Sequence, residues 1–412
     1  MIEEVPDVKQ TSNFTLNTFK IRGFDIDPSV IIQLDIFESI VMPGITGCVV
    51  IKDWQGAKEL GEIFAGDDVE ISWSSPDTKP INIILKVFGS YGDQVQDDQT
   101  YKTTKLHFCS SWYIDAFTRQ LSKPYINKSV SEIIDDLLKE CGATNYVEPT
   151  SQRLERFVTP LWTPMHSIRH LMKFAMDTQG HGGYLLFTDI ISDTVICTTI
   201  NKLLAGDLGY NTSEITFNAV NQVYEGNTNK LTLESNFDTI RFANQGMGKT
   251  NLIGFDFDSN KIIATNESIT QYKHEHLGNY FPMLKDFESD KYSSTKFMWK
   301  SINSAFQKRH SKELEELLVG HLRTRYSHLF SDVFKINLGA PGSTLRRAGQ
   351  IVKLNFPSVD YKLDPTKKDM QFDGNYLIRD IRHVFMFGDY AQAITLCSDG
   401  YKQMKRTDLM EW

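Results

Sequence analysis

The sequence predicts an α+β chain that is mainly β: two related antiparallel β-barrel domains, the second split by an insertion, plus a small α/β domain. Three observations lead there. AGDDVEISW (Ala65–Trp73) and AGQIVKLNF (Ala348–Phe356) both open with Ala-Gly and then alternate apolar and polar residues. Short strand-like runs separated by turn residues crowd both ends of the chain. The stretch between them carries helix starts and stops instead.

Residues 1–14 read as a polar arm. The first barrel is placed at 15–112. FTLNTFKI is rich in β-branched and aromatic residues, and SVIIQLDIF alternates with Ile32, Leu34 and Ile36 on one face. Pro43-Gly44 is a turn signal. GCVVIKD, DDVEISW, INIILKVFG and TTKLHFCSS follow as strands at the close spacing of a small barrel or sandwich.

The α/β domain is placed at 113–212. SVSEIIDDLLKECG is a helix: Ser129 and Glu132 form a capping box, Gly142 ends it, and Val130, Ile133, Ile134, Leu137 and Leu138 share a face. A second helix starts at Thr163 as N-cap with Pro164 at the first helical position, and Ile168, Leu171, Met172 and Ala175 form its stripe. Gly182-Gly183 then leads into the strand YLLFTD.

The second barrel is placed at 213–247 and 329–400, with EITFNAV and KLTLESNFDTIRF before the break and VFKINL, GQIVKLNFP, NYLIRDIRHVF and AQAITLCSD after it. The insertion, 248–328, is polar and ends in a helix over roughly Phe297–Tyr326; 401–412 is a C-terminal tail. Each Ala-Gly strand is followed by a hairpin with a Gly-Asp turn and a strand ending in Cys-Ser, so Cys109 and Cys397 occupy matching places. Alternation alone recurs in unrelated strands, so chance and duplication both account for the match; duplication is favoured. A trimer of a two-barrel chain would present six similar units around its axis, and could mate with a sixfold ring on one side and a threefold partner on the other.

The 412 residues carry a formal charge of −8 with 41% hydrophobic and 12% aromatic content, enough for packed cores. A general nucleic-acid binder would show a basic excess, which this chain lacks. The five cysteines, Cys48, Cys109, Cys141, Cys197 and Cys397, are widely spaced with no CxxC pair, which speaks for buried thiols rather than a disulfide framework or structural zinc. MIEEVPDVKQ lacks a signal-peptide core, and no apolar run approaches the ~20 residues of a membrane span. Synthesis and folding in a cytoplasm are expected.

Four segments in order resemble the baseplate hub protein of tailed bacteriophages, the contractile-tailed kind especially, and more distantly the N-terminal part of VgrG spike proteins. They are IFESIVMPGITGCVVIKD, LSKPYINKSVSEIIDDLLKE, PLWTPMHSIRHLMKFAMDTQGHGGYLLFTD, and RRAGQIVKLNFP with NYLIRDIRHVFMFGDYAQAITLCSDGYK. The resemblance implies a structural protein of the virion tail baseplate: a homotrimer with pseudo-sixfold symmetry. It implies a spike protein below, a tail tube or tube-initiating protein above, and baseplate proteins around. It also implies a conduit through which DNA passes without specific binding, so lumen-facing positions are expected to be acidic or neutral. The hub of a type VI or other contractile injection system is the alternative. A VgrG would need a spike fused after the last barrel strand, and the chain ends at Trp412, so the spike is expected on a separate chain.

Other motifs point elsewhere. ANQGMGKT (Ala243–Thr250) fits a loosened P-loop, but FDTIRF before it reads as a strand, NLIGFDFDSNKII after it alternates like another strand, and the phosphate-binding helix is missing. His274 and His276 could ligate a metal from a strand but lack a third ligand, and read as an exposed loop. His166 and His170 read as helix-face or packing residues, and His181 as part of a turn. Asp135-Asp136 and Glu313, Glu315 and Glu316 read as solvated helix faces. No GxSxG elbow or cysteine nucleophile context is present. Trp73, Trp112 and Trp162 could stack on sugars in a glycan-binding virion-tip protein, although core packing is the favoured role. No catalytic, cofactor-binding or metal residue is assigned, no cofactor is expected, and the chain is read as a non-enzyme.

Overall fold

In the computed structural model, the two Ala-Gly stretches take one backbone geometry. Gly66 and Gly349 both sit at positive φ, 97° and 83°, where a Cβ would crowd the following carbonyl. Gly66 N–H donates to the Val87 carbonyl at 2.7 Å and Val87 N–H donates to the Asp67 carbonyl at 2.9 Å. Gly349 N–H donates to the Ile378 carbonyl at 2.8 Å and Ile378 N–H to the Gln350 carbonyl at 2.9 Å. The structure describes residues 14–53, 63–75, 78–95, 102–217, 227–228, 230–235, 238, 240, 242, 249–256, 260–268, 275–278, 280–281, 300–302, 311–330, 333–356, 368–369, 372–386, 388–402 and 410–411. The proposed arm lies outside them except for Phe14.

Seven strands open the chain: β1 (Thr15–Ile21), β2 (Phe24–Asp25), β3 (Ile31–Ser39), β4 (Thr46–Asp53), β5 (Asp68–Ser74), β6 (Ile81–Val95) and β7 (Lys102–Ser110). They pair antiparallel in the order β2-β1-β5-β6-β7-β4-β3. Period-2 alternation decides which side chains enter the core. In β5 it sends Val69, Ile71 and Trp73 inward, and Leu34, Ile36, Val49, Leu106 and Phe108 meet them. Burying each of these aliphatic side chains contributes roughly 1.5–3 kcal/mol.

The middle of the chain follows as α1 (Ser111–Thr118), β8 (Pro124–Ser129), α2 (Val130–Glu140), β9 (Asn145–Val147), β10 (Arg153–Val158), α3 (Pro164–Met172), β11 (Tyr184–Asp189), β12 (Thr194–Thr199) and α4 (Ile200–Ala205). The capping box at α2 is complete: the Ser129 hydroxyl accepts from Glu132 N–H and the Glu132 carboxylate accepts from Ser129 N–H. Thr163 caps α3 as read from the sequence, accepting from His166 N–H. The apolar faces of α2 and α3 are buried with Tyr184 and Leu186 of β11. His181 sits in a turn whose Asp177 carboxylate accepts the Gln179 and His181 N–H groups and contacts the His181 ring at 3.0 Å.

The last third carries β13 (Ser213–Phe217), β14 (Asn227–Thr228), β15 (Lys230–Ser235), β16 (Lys249–Asp256), β17 (Lys261–Ser268), β18 (Tyr280–Phe281), β19 (Lys300–Ile302), α5 (Ser311–Phe330), β20 (Phe334–Pro341), β21 (Ile351–Asn355), β22 (Gly374–Met386), β23 (Asp389–Ser398) and β24 (Met410–Glu411). The pairs β21·β22, β22·β23, β23·β20 and β20·β15 repeat β5·β6, β6·β7, β7·β4 and β4·β3. The registers agree too. Cys109 lies between Lys86 and Thr46, and Cys397 lies between Leu377 and Lys335. Both long strands then shift register at the matching place, between Val87 and Gly89 and between Ile378 and Asp380, and β6 shifts again between Tyr91 and Gln94. One pair departs: β1 runs antiparallel to β5, whereas β13 runs parallel to β21.

Three expectations need correction. The β segments are not closed barrels but parts of one 14-stranded sheet. The reason is the length of β22, which pairs with β21 over Gly374–Leu377 and then with β3 over Asp380–Met386. Of the expected helix over Phe297–Tyr326, the part from Ser311 is helical and the helix runs on to Phe330, but Lys300–Ile302 is a strand parallel to β16, and 297–299 and 303–310 lie outside the described residues. Strong helix formers cluster only from KELEELL onward. The expected strand FDTIRF contains a helical turn, with Phe242 N–H donating to the Asp238 carbonyl at 2.9 Å. At the C-terminus, Tyr401 is buried with its ring 4.3 Å from that of Phe334, and β24 pairs with β18.

The two glycines give a test of the shared geometry. Gly66→Ala should destabilise the chain by about 1–2 kcal/mol through backbone strain alone. Gly349→Ala should cost more, because its Cβ would also stand 3.2 Å from the Phe187 ring. Urea denaturation of the two variants measures the difference.

Candidate functional site

The long strand β22 creates a seam where the two ends of the chain meet. Opposite β3 it places Arg382 and His383 beside Asp35 and Glu38, four charged or titratable groups on two adjoining strands. Arg382 grips the Asp35 carboxylate with two bonds, from Nε at 3.2 Å and from Nη2 at 3.1 Å. Glu38, 2% exposed, accepts from Ala348 N–H at 3.1 Å and contacts His383 Nε2 at 3.0 Å. On its other side, His383 Nδ1 lies 2.9 Å from the Tyr390 hydroxyl. Gln392 completes the chain, donating to the Ser343 carbonyl at 2.7 Å and accepting from Arg346 at 3.0 Å. Burial holds the Arg346 guanidinium down to about 10 and pushes the Tyr390 phenol up.

These groups look like an acid–base relay, but His383 and Gln392 are fully buried and no substrate reaches them. Their partners are satisfied from within, which is what a buried polar network needs to specify one packing arrangement. Aromatic rings seal the network: Phe385 stacks on Tyr390 at 4.5 Å, and Trp73 meets Phe385 edge-on at 5.5 Å. The chemistry of this arrangement is structural cohesion.

Beside the seam lies an exposed apolar turn. The turn after β3 exposes Val41 and Met42, 44% and 45% accessible. It is pinned by Ile40 N–H donating to Arg379 and by Thr188 donating to the Pro43 carbonyl at 2.8 Å. On one side opens a groove of about 800 Å³ floored by β3, β15, β20, β22 and β23. On the other, a cleft of about 320 Å³ runs between this turn, α3, β11 and α5, with Arg169, Lys173 and His328 among its apolar lining. Two apolar side chains held out between two concavities suit a protein contact better than a small-molecule site.

The motifs that suggested other chemistry fall apart or into the core. Ala243–Gly248 lie outside the described residues, and Lys249 and Thr250 open strand β16, so no helix follows to hold a phosphate. His274 is likewise undescribed. His276 is not loosely exposed: its ring lies 2.6 Å from Asp399, whose carboxylate also accepts Leu277 and Gly278 N–H. His166 and His170 pack on Trp162 at 4.5 and 5.3 Å. Trp73 and Trp112 are buried, so neither offers a face to a sugar. Asp135 pairs with Lys139, and Asp136 with Lys123 and the Tyr125 hydroxyl. Glu316 is exposed, and nothing is described of the Glu313 and Glu315 side chains. None of the five cysteines is in a disulfide and all are buried; burial pushes the Cys48, Cys109 and Cys141 thiols up to about 11, away from nucleophilic use. Among the described residues no three His, Cys, Asp or Glu side chains gather as metal ligands.

The seam residues were missed in the sequence. A signal was there: Asp35 and Glu38 place two carboxylates in the strand IIQLDIFES, and Arg382 and His383 stand together in NYLIRDIRHVF. Glu38→Ala should destabilise the fold by about 3 kcal/mol, since it strands His383 Nε2 and Ala348 N–H in the interior. A double-mutant cycle with His383→Ala, read by urea denaturation, should show a coupling above about 1 kcal/mol.

No protein-family model and no curated protein matches the chain. Solved structures do. The tail protein from Neisseria meningitidis MC58 matches with a TM-score of 0.57 at 10% identity, over 94% of this chain and 98% of that one. The 43 kDa tail protein of prophage MuSo2 from Shewanella oneidensis matches with a TM-score of 0.53 at 11% identity, over 92% and 96%. The E. coli c3393 protein, a type VI secretion component described as structurally similar to T4 tail proteins gp27 and gp5, matches with a TM-score of 0.51 at 12% identity, over 94% and 80%. The chain has a contractile-tail baseplate hub-like fold.

Proposed function

We propose that the chain is a structural, non-enzymatic baseplate hub of a phage tail. On this reading it forms a homotrimer with pseudo-sixfold symmetry, joins the tail tube to a central spike carried by another chain, contacts the surrounding baseplate proteins, and leaves a conduit for DNA. Its place is the virion tail baseplate. The observation that carries the reading is the register match between β3–β7 and β15 with β20–β23, within a fold shared with phage tail proteins. A chain that presents one five-stranded plan twice can offer six similar faces from three copies, which is what a sixfold tube above and a threefold spike below require.

The fold shared with the E. coli type VI secretion component supports a second reading, the hub of a contractile injection system. The two differ in the genes that surround this one: capsid and tail genes for a phage, secretion genes for the alternative.

Native mass spectrometry or light scattering, alone and with the spike encoded beside it, tests the hub reading. Three copies of the 47.2 kDa chain, about 142 kDa, are expected. A dimer or tetramer in both conditions would overturn the threefold argument. The net charge of −8 supports a lumen that does not hold phosphates. A structure of the assembled ring should show acidic or neutral lumen positions, and a lining of Lys and Arg would refute that part.

A further inference from the structure

The cleft beside the Val41–Met42 turn is basic in an acidic chain. Apolar side chains of the turn and of α3 line it, among them Val41, Pro43, Met165 and Met172. Its polar lining includes Arg169, Lys173 and His328 and no Asp or Glu. Arg169 and Lys173 stand four residues apart at the end of α3, so they share a face. Both are exposed. Arg169 lies over the Phe117 ring, and among the described residues neither cation meets a carboxylate. On α2, by contrast, Lys139 takes Asp135 one turn back as its partner. The chain carries 52 acidic against 44 basic residues, so two adjacent cations without a carboxylate run against its balance.

We propose that residues 1–13 of the same chain dock in this cleft. MIEEVPDVKQTSN carries Glu3, Glu4 and Asp7 against Lys9 alone, with Ile2, Val5 and Val8 set among them. Glu3 and Glu4 then meet Arg169 and Lys173, and Ile2 and Val5 cover Val41 and Met172. The flexible thioether of methionine adapts to such side chains. Reach allows the contact. The Phe14 ring lies 5.3 Å from that of Phe385 and 5.7 Å from that of Tyr390, which fixes where the segment starts. Phe385 opposes Leu34, seven residues before Val41, about 23 Å of extended strand. Glu4 stands ten residues before Phe14, a span of up to about 33–36 Å. Exposed ion pairs are individually weak. A tethered segment acts at an effective concentration on the order of millimolar, so it displaces an untethered peptide of equal chemistry.

The proposal does not need the hub reading, which the assembly mass decides separately. Its test is a covalent map of the full chain. Val5→p-benzoylphenylalanine places a photoreactive group on the segment, and the chain is irradiated. Cross-links within one chain, to 40–43 or 165–173, are expected by peptide mass spectrometry on the band that migrates as a monomer. Arg169→Glu with Lys173→Glu should lose most of them at an unchanged melting temperature. Adding Glu3→Lys with Glu4→Lys should restore them, which a structural defect in α3 would not allow. Cross-links elsewhere on the chain, only between chains, or none at all would overturn the proposal. So would a cross-link from Val41→p-benzoylphenylalanine to a spike or baseplate protein mixed with the chain and none to residues 1–13, which would give the cleft to that partner.

Discussion

The pairing of β3 with β22 is the contact on which the rest of the structure depends. It joins residues at opposite ends of the chain, and without it the antiparallel strands would be two separate sheets with their facing edges in water. The contact is held by more than backbone bonds. Asp35 and Glu38 are buried carboxylates, and each finds its cation or donor on β22 or in the loop before β21. Charges taken out of water are costly unless every partner is in place, so this network tolerates one register. A shift by a single residue would turn Arg382 and His383 to the wrong faces.

The neighbouring elements build on that fixed line. Arg347, just before β21, reaches Asp189 at the end of β11 at 3.1 Å and lies over the Tyr210 ring, which ties the seam to the helical middle of the chain. From the other side α5 leans on the Gly180–Gly183 loop: Arg323 donates to the Gly180 carbonyl and clasps Glu267 of β17, and Ser327 donates to Gly182. Those glycines admit the helix where a Cβ would stand 2.6 Å or closer to Arg323, Thr324 or Ser327 atoms. The turn carrying Val41 and Met42 is held from β22 by Arg379 and from β11 by Thr188.

The paired charges at the join lie under aromatic rings: Trp73, Phe385 and Tyr390 pack over His383 and its neighbours. Buried polarity here specifies geometry.

What the sequence determined by itself was local. Alternation named the strands around Trp73 and Phe356, Ser129 with Glu132 and Thr163 with Pro164 marked the helix starts, and the two Ala-Gly openings announced a shared plan, because each depends only on residues a few positions apart. The long helix was misplaced at its start, since tertiary pairing drew Lys300–Ile302 into a strand. Only the tertiary structure decided that the β segments merge into one sheet. That outcome turns on which edge β22 meets after its bulge, and on whether Asp35 and Glu38 find Arg382 and His383 across more than three hundred residues of chain. Neither alternation nor capping carries information about partners that distant; the desolvation of those four side chains does.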